Sequence, residues 1–94
     1  MDVVKDMALT PEQFFRSLEV ALQDLAYRVD GHRVEAGTPE DGLAIEFRPL
    51  PPRRLSGLLA MPRAQVAITF RGYDETRRAA FLERFDKAFQ RGGG

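Results

Sequence analysis

Apolar residues recur along this chain with two different periods, and the change of period marks its elements. From Thr10-Pro11-Glu12-Gln13 onward, Phe14, Leu18, Leu22, Leu25 and Val29 follow one another at spacings of four, four, three and four. That is one face of a helix, widened by Phe15, Ala21 and Ala26. Its start is well specified. Thr10 suits a cap, Pro11 sits where a missing N–H costs nothing, and Gln13 completes a capping box. Leu9 and Phe14 occupy the two positions of a hydrophobic staple. Asp30-Gly31 closes the pattern, with Gly31 suited to the left-handed residue that follows a helix. The spacing predicts a first helix over 11–30.

From His32 the period shifts to two. His32–Ala36 reads as a short strand, and the turn formers Gly37-Thr38-Pro39-Glu40-Asp41-Gly42 follow it. Leu43, Ile45 and Phe47 then alternate with Ala44, Glu46 and Arg48, so the two runs form a hairpin. Pro49, Pro51 and Pro52 are expected to break regular structure. Arg54–Ala60 is a third strand candidate, blurred by Gly57 and the Leu58-Leu59 pair, with Met61-Pro62-Arg63-Ala64 as its turn. Val66, Ile68 and Phe70 alternate with Ala67, Thr69 and Arg71, the clearest strand in the chain. Asp74 caps a second helix whose buried face is Phe81, Leu82, Phe85, Ala88 and Phe89. Gly92 ends that helix.

The predicted fold is α+β. It is a two-layer sandwich, an antiparallel sheet of three or four strands with N- and C-terminal helices packed on one face, in the order α-β-β-(β)-β-α. A single domain over 10–91 is expected between a flexible lead-in at 1–9 and a flexible glycine tail at 92–94. The inner sheet face takes Leu43, Ile45, Phe47, Val66, Ile68 and Phe70. The outer face takes Ala44, Glu46, Arg48, Gln65, Ala67, Thr69 and Arg71, a set of small and charged side chains.

Composition narrows the function classes. Of 94 residues, 44% are hydrophobic and 30% charged, as in an ordinary globular domain. The chain has no cysteine, which excludes disulfides, thiolate metal sites and cysteine nucleophiles. No apolar run approaches a membrane span, and the first residues lack the basic and apolar regions of a signal peptide. A cytoplasmic location without a membrane partner is the expectation.

Charge changes the picture most. Residues 1–46 hold ten acids and four bases, a net of −6. Residues 47–73 hold five arginines and no acid, and residues 74–94 hold four acids and five bases. The net charge of zero therefore conceals an internal dipole that suits an anionic partner or the acidic half of the chain itself. Arg48, Arg53, Arg54, Arg63 and Arg71 are the candidate binding residues, since guanidinium forks match carboxylate and phosphate oxygens. Arg48 and Arg71 are expected at corresponding ends of strands on the outer face, and Arg53, Arg54 and Arg63 in loops. Nucleic acid would call for more net positive charge and for exposed aromatics, yet Phe47 and Phe70 fall on the core face.

Other motifs carry less. Arg48-Pro49-Leu50-Pro51-Pro52-Arg53-Arg54 resembles a polyproline recognition peptide, and a stiff connector explains it as well. His32, the only histidine, has Asp30 and Glu35 nearby, and these carboxylates would orient its ring in a small enzyme. No nucleophile motif or phosphate loop accompanies it, and no catalytic residue, metal ligand or cofactor is assigned. The reading is a small non-enzymatic binding module acting through protein–protein contact. It would self-associate and offer its 48–71 segment to an acidic partner. The alternatives are nucleic-acid or phosphate binding through the same arginines, and an enzyme centred on His32.

Overall fold

The computed structural model describes residues 2–23 and 25–91. The elements run β1 (Val3–Met7), α1 (Pro11–Ala21), β2 (Tyr27–Asp30), β3 (Arg33–Gly37), β4 (Gly42–Arg54), β5 (Ala60–Arg71) and α2 (Glu75–Arg91). The five strands form one antiparallel sheet in the order β1-β5-β4-β3-β2. Strands β2 to β5 are thus a meander of successive hairpins, and β1 joins its far edge beside β5. The architecture is the expected two-layer α+β sandwich, with five strands rather than three or four.

Both helices cover one face of the sheet. Register places Val34, Ala36, Leu43, Ile45, Phe47, Ala64, Val66 and Ile68 on that face, all nearly or fully buried. Phe14, Leu18 and Leu22 from the first helical region join Phe81, Phe85 and Phe89 from α2 in the same cluster. Phe14 is its hub, with ring centroids 4.6 Å from Phe47 and 5.7 Å from Phe89. Phe85 stacks on Phe89 at 4.2 Å. Such a cluster removes most of the large apolar side chains from water and supplies the main drive to fold.

The helix starts form as the sequence dictates. The Thr10 hydroxyl accepts from the Gln13 amide, and the Gln13 side chain accepts from the Thr10 amide. The Asp74 carboxylate accepts from the Arg77 amide at 2.8 Å and caps α2.

Three expectations are corrected. The first helix ends at Ala21 instead of reaching Asp30, and Tyr27–Asp30 is a strand. Tyr27-Arg28-Val29-Asp30 also alternates with period two, and Asp30-Gly31-His32-Arg33 closes a two-residue hairpin, Asp30 facing Arg33. Gly31 has φ of +62° while His32 does not take positive φ, the pattern of a type II′ turn. Gly31 therefore serves a hairpin and not a helix end. Residues 3–7, expected as part of a loose lead-in, form β1, which supplies the partner that the β5 edge needs.

Third, the prolines do not break the sheet. β4 runs through Pro49, Pro51 and Pro52 to Arg54, and β5 begins at Ala60, so Leu55–Leu59 is a loop rather than a strand. The pairing of β3 reaches only Glu46, with a last bond from the Phe47 amide to the His32 carbonyl. Beyond it β4 is an edge, where an absent N–H leaves nothing unsatisfied. The glycine tail at 92–94 and its capping role lie outside the described residues.

Candidate functional site

The two longest strands give the molecule its shape. β1 covers β5 only as far as Ala64, and β3 covers β4 only to Glu46. The remainder of both strands projects as a two-stranded arm, and the molecule measures 48 × 23 × 20 Å. Every residue from Pro51 to Met61 is exposed.

The arm gathers four of the five candidate arginines. Arg48, Arg53 and Arg54 lie on β4 and Arg63 on β5, all within strands and none in loops. A bulge then decides which face they share. Leu50 faces Arg63, whereas Arg53 faces Met61, so the two prolines at 51 and 52 lie opposite Pro62 alone. Without that extra residue Pro52 would face Met61, and Arg53 would point to the other side. With it, register puts Arg48, Leu50, Arg63, Arg53 and Met61 on the outer sheet face. Arg54, opposite Ala60, falls on the other face. Among the described residues, the side chains of Arg48, Arg53, Arg54 and Arg63 have no hydrogen bond, ion pair or ring contact.

Arg71 does not belong to this group. It pairs with Gly42 while Arg48 pairs with Gln65, six positions away along β5. Six residues of strand span roughly 20 Å. The Arg71 guanidinium donates to Glu35 at 3.1 Å and to the Thr38 carbonyl at 3.1 Å. Arg33 donates to the same Glu35 carboxylate at 2.7 Å and also to Glu46. The Arg33 hydrogen bond, aided by the charge of Arg71, holds the Glu35 carboxyl below its usual range. Arg77 likewise holds Asp41 through a bidentate pair at 2.9 and 3.0 Å, and keeps its carboxyl low. On the body, arginines fasten strands and loops to each other.

The sequence reading missed the arm's tip. Leu58 is 98% exposed, Leu59 63%, Leu55 55% and Met61 39%. The tip is nonetheless ordered by its own bonds. Leu55 donates its amide to the Leu59 carbonyl at 2.9 Å, and the Ser56 hydroxyl accepts from the Leu58 and Leu59 amides at 3.4 and 3.2 Å. Two adjacent leucines beside a Ser-Gly pair were the available signal. Turns favour polar residues, and an apolar pair there marks a contact surface as readily as a strand.

His32 lies in the β2–β3 turn, not beyond a helix end. Its ring meets the edge of Phe47 at 5.6 Å, and neither Asp30 nor Glu35 hydrogen-bonds to it. Glu35 is already held by the two arginines. Among the described residues no group of three potential metal ligands converges, and no helix is long and apolar enough to cross a membrane. Compared with known proteins, the chain matches no family model, no curated protein and no solved structure.

Proposed function

We propose that this chain is a small non-enzymatic binding module that works through protein–protein contact. The β4–β5 arm is its contact surface. The observation that carries this reading is the pairing of exposed leucines at the tip with arginines whose side chains have no partner among the described residues. Burying one exposed leucine contributes about 1.5–3 kcal/mol, so three at one apex make a strong anchor. The arginines beside them select a partner whose apolar site is rimmed by carboxylates, and they speed the encounter. The prolines on β4 and β5 prevent another strand from adding to the arm's edges, so recognition falls to side chains. Ser56 and the prolines also hold the arm in shape beforehand, which lowers the entropy lost on binding.

The arm has no aromatic side chain between Arg48 and Ala64 on which a base would stack, which favours protein over nucleic acid. A photo-cross-linking residue placed at position 58 in the living cell tests the assignment, with position 69 on the body's outer face as control. Protein adducts are expected from position 58, not from 69, and Arg53→Glu with Arg54→Glu should remove them. Nucleic-acid adducts, or equal protein adducts from both positions, would overturn it.

A further inference from the structure

Granting that the arm is a protein-contact surface, we infer that a second copy of this chain receives its tip. The receiving site is the groove between the end of β1 and the last turns of α2. This groove has a volume of about 340 Å³, and Met7, Leu9, Phe89, Asp6 and Asp86 are among its lining residues. Leu9 and Phe89 form an apolar floor, at 3% and 5% exposure. Asp86 stands at its rim, Asp6 lies beside it with its side chain on the outer sheet face opposite Gln65, and among the described residues no basic side chain lines the groove. Asp86 already holds Lys5 at 3.1 Å, while among the described residues Asp6 has no ion pair or side-chain hydrogen bond. The groove therefore has the chemistry that the leucine tip and Arg53-Arg54 require, an apolar pocket with carboxylate at its rim.

Its place in the fold makes the exchange reciprocal. Met7 pairs with Ala64, the residue at which the arm leaves the body. The groove thus lies at the arm's root. A two-fold axis through the middle of two antiparallel arms carries each tip to the other's root, whatever the arm's length. Both contacts then form at once, and neither copy has a free tip. The prolines keep the two arms from fusing into one continuous sheet, so the pair is held by tip and groove. Charge distribution favours this occupant as well. The arginines of one arm, Arg48, Arg53, Arg54 and Arg63, meet Asp6 and Asp86 at the root of the other.

The absence of cysteine makes the geometry directly testable. Leu58→Cys and Ala8→Cys replace two exposed residues, one at the tip and one beside the groove. Purified separately, mixed and oxidised, they should give the mixed disulfide between positions 58 and 8 as the main product. Sedimentation equilibrium of the unaltered chain should show a dimer. Arg53→Glu with Arg54→Glu, or Asp6→Arg alone, should weaken it on the order of tenfold or more. Combining all three reversals should restore much of the loss.

A predominant 58-to-58 disulfide, or charge variants that fail to restore one another, would overturn the groove assignment. A purified chain that stays monomeric while position 58 still cross-links to other proteins in the cell would overturn the second-copy occupant and leave the arm as a contact surface. Sedimentation with anionic phospholipid vesicles that depends on Leu58 would replace a protein occupant by a lipid surface.

Discussion

β4 and β5 are two different structures along their own length. From Gly42 to Phe47, and from Ala64 to Arg71, they are the centre of a sheet. Their apolar side chains are buried under both helices, and Arg71 is tied to Glu35 and Thr38. From Arg48 to Arg54, and from Ala60 to Arg63, the same ladder continues past the ends of β3 and β1, and among the described residues its arginines have no ion pair. One residue type, arginine, serves as a fastener in the first half and stands unpaired in the second. The positive segment of the sequence is therefore two things, and its charge count alone does not separate them.

If stability resides in the body and recognition in the arm, substitutions should sort accordingly. The largest effect is expected at Phe14, fully buried at the hub of the ring cluster. Phe14→Ala should cost about 3–5 kcal/mol in urea unfolding. A loss below 1 kcal/mol would mean that the core is looser than its burial indicates. Next comes Gly31, whose φ of +62° strains any other residue although a Cβ there meets no atom within 4 Å. Gly31→Ala should cost about 1–2 kcal/mol through backbone alone. An unchanged unfolding midpoint would argue against the turn geometry.

The Glu35 pair should show itself through pH. Its carboxyl is held low when folded, so its contribution is present above the unfolded value near 4.5 and is lost as pH falls through the lower folded value. Glu35→Gln should be less stable by under about 1 kcal/mol at neutral pH, and the gap should close as pH falls below the folded value. A gap that widens in acid would reverse the assignment. The smallest effect belongs to the tip. Leu58→Ser should leave stability within about 0.5 kcal/mol while lowering the dimer fraction in sedimentation equilibrium. A clear loss of stability would show that the arm's tip supports the body and would undo the division.

Much of the body was legible because its signals are local. The Thr10–Gln13 box, the Asp74 cap and the alternation of Leu43 to Phe47 and Val66 to Phe70 each depend on neighbours within a few residues. The misread parts are those where a local pattern fits two elements. Leu22, Leu25 and Val29 suit a helix face, yet Tyr27 and Val29 suit a strand, and only the pairing of β2 with β3 decides between them. Residues 3–7 became a strand because β5 offers an edge 57 to 65 residues away. For the candidate site, the arginines were visible as a segment. Their grouping was not, because it depends on one bulge at Pro51-Pro52 and on prolines tolerated at an uncovered edge. Arg71 was wrongly joined to them because Glu35, its partner, lies in another strand.

The attachment of β1 has a consequence for how the molecule assembles in time. The β2–β3, β3–β4 and β4–β5 hairpins each join neighbouring segments. Val3, by contrast, pairs with Ile68, 65 positions further along the chain. Closing so long a loop is costly in entropy until the strand it joins is in place, so β1 should dock after the barrier to folding has been crossed. Substitutions that weaken it, such as at Val3 or Met7, should quicken unfolding and leave the refolding rate nearly unchanged. One wall of the groove, Asp6 to Leu9, would then be completed only at the end of folding, so that a nascent chain offers its arm before it can accept another's.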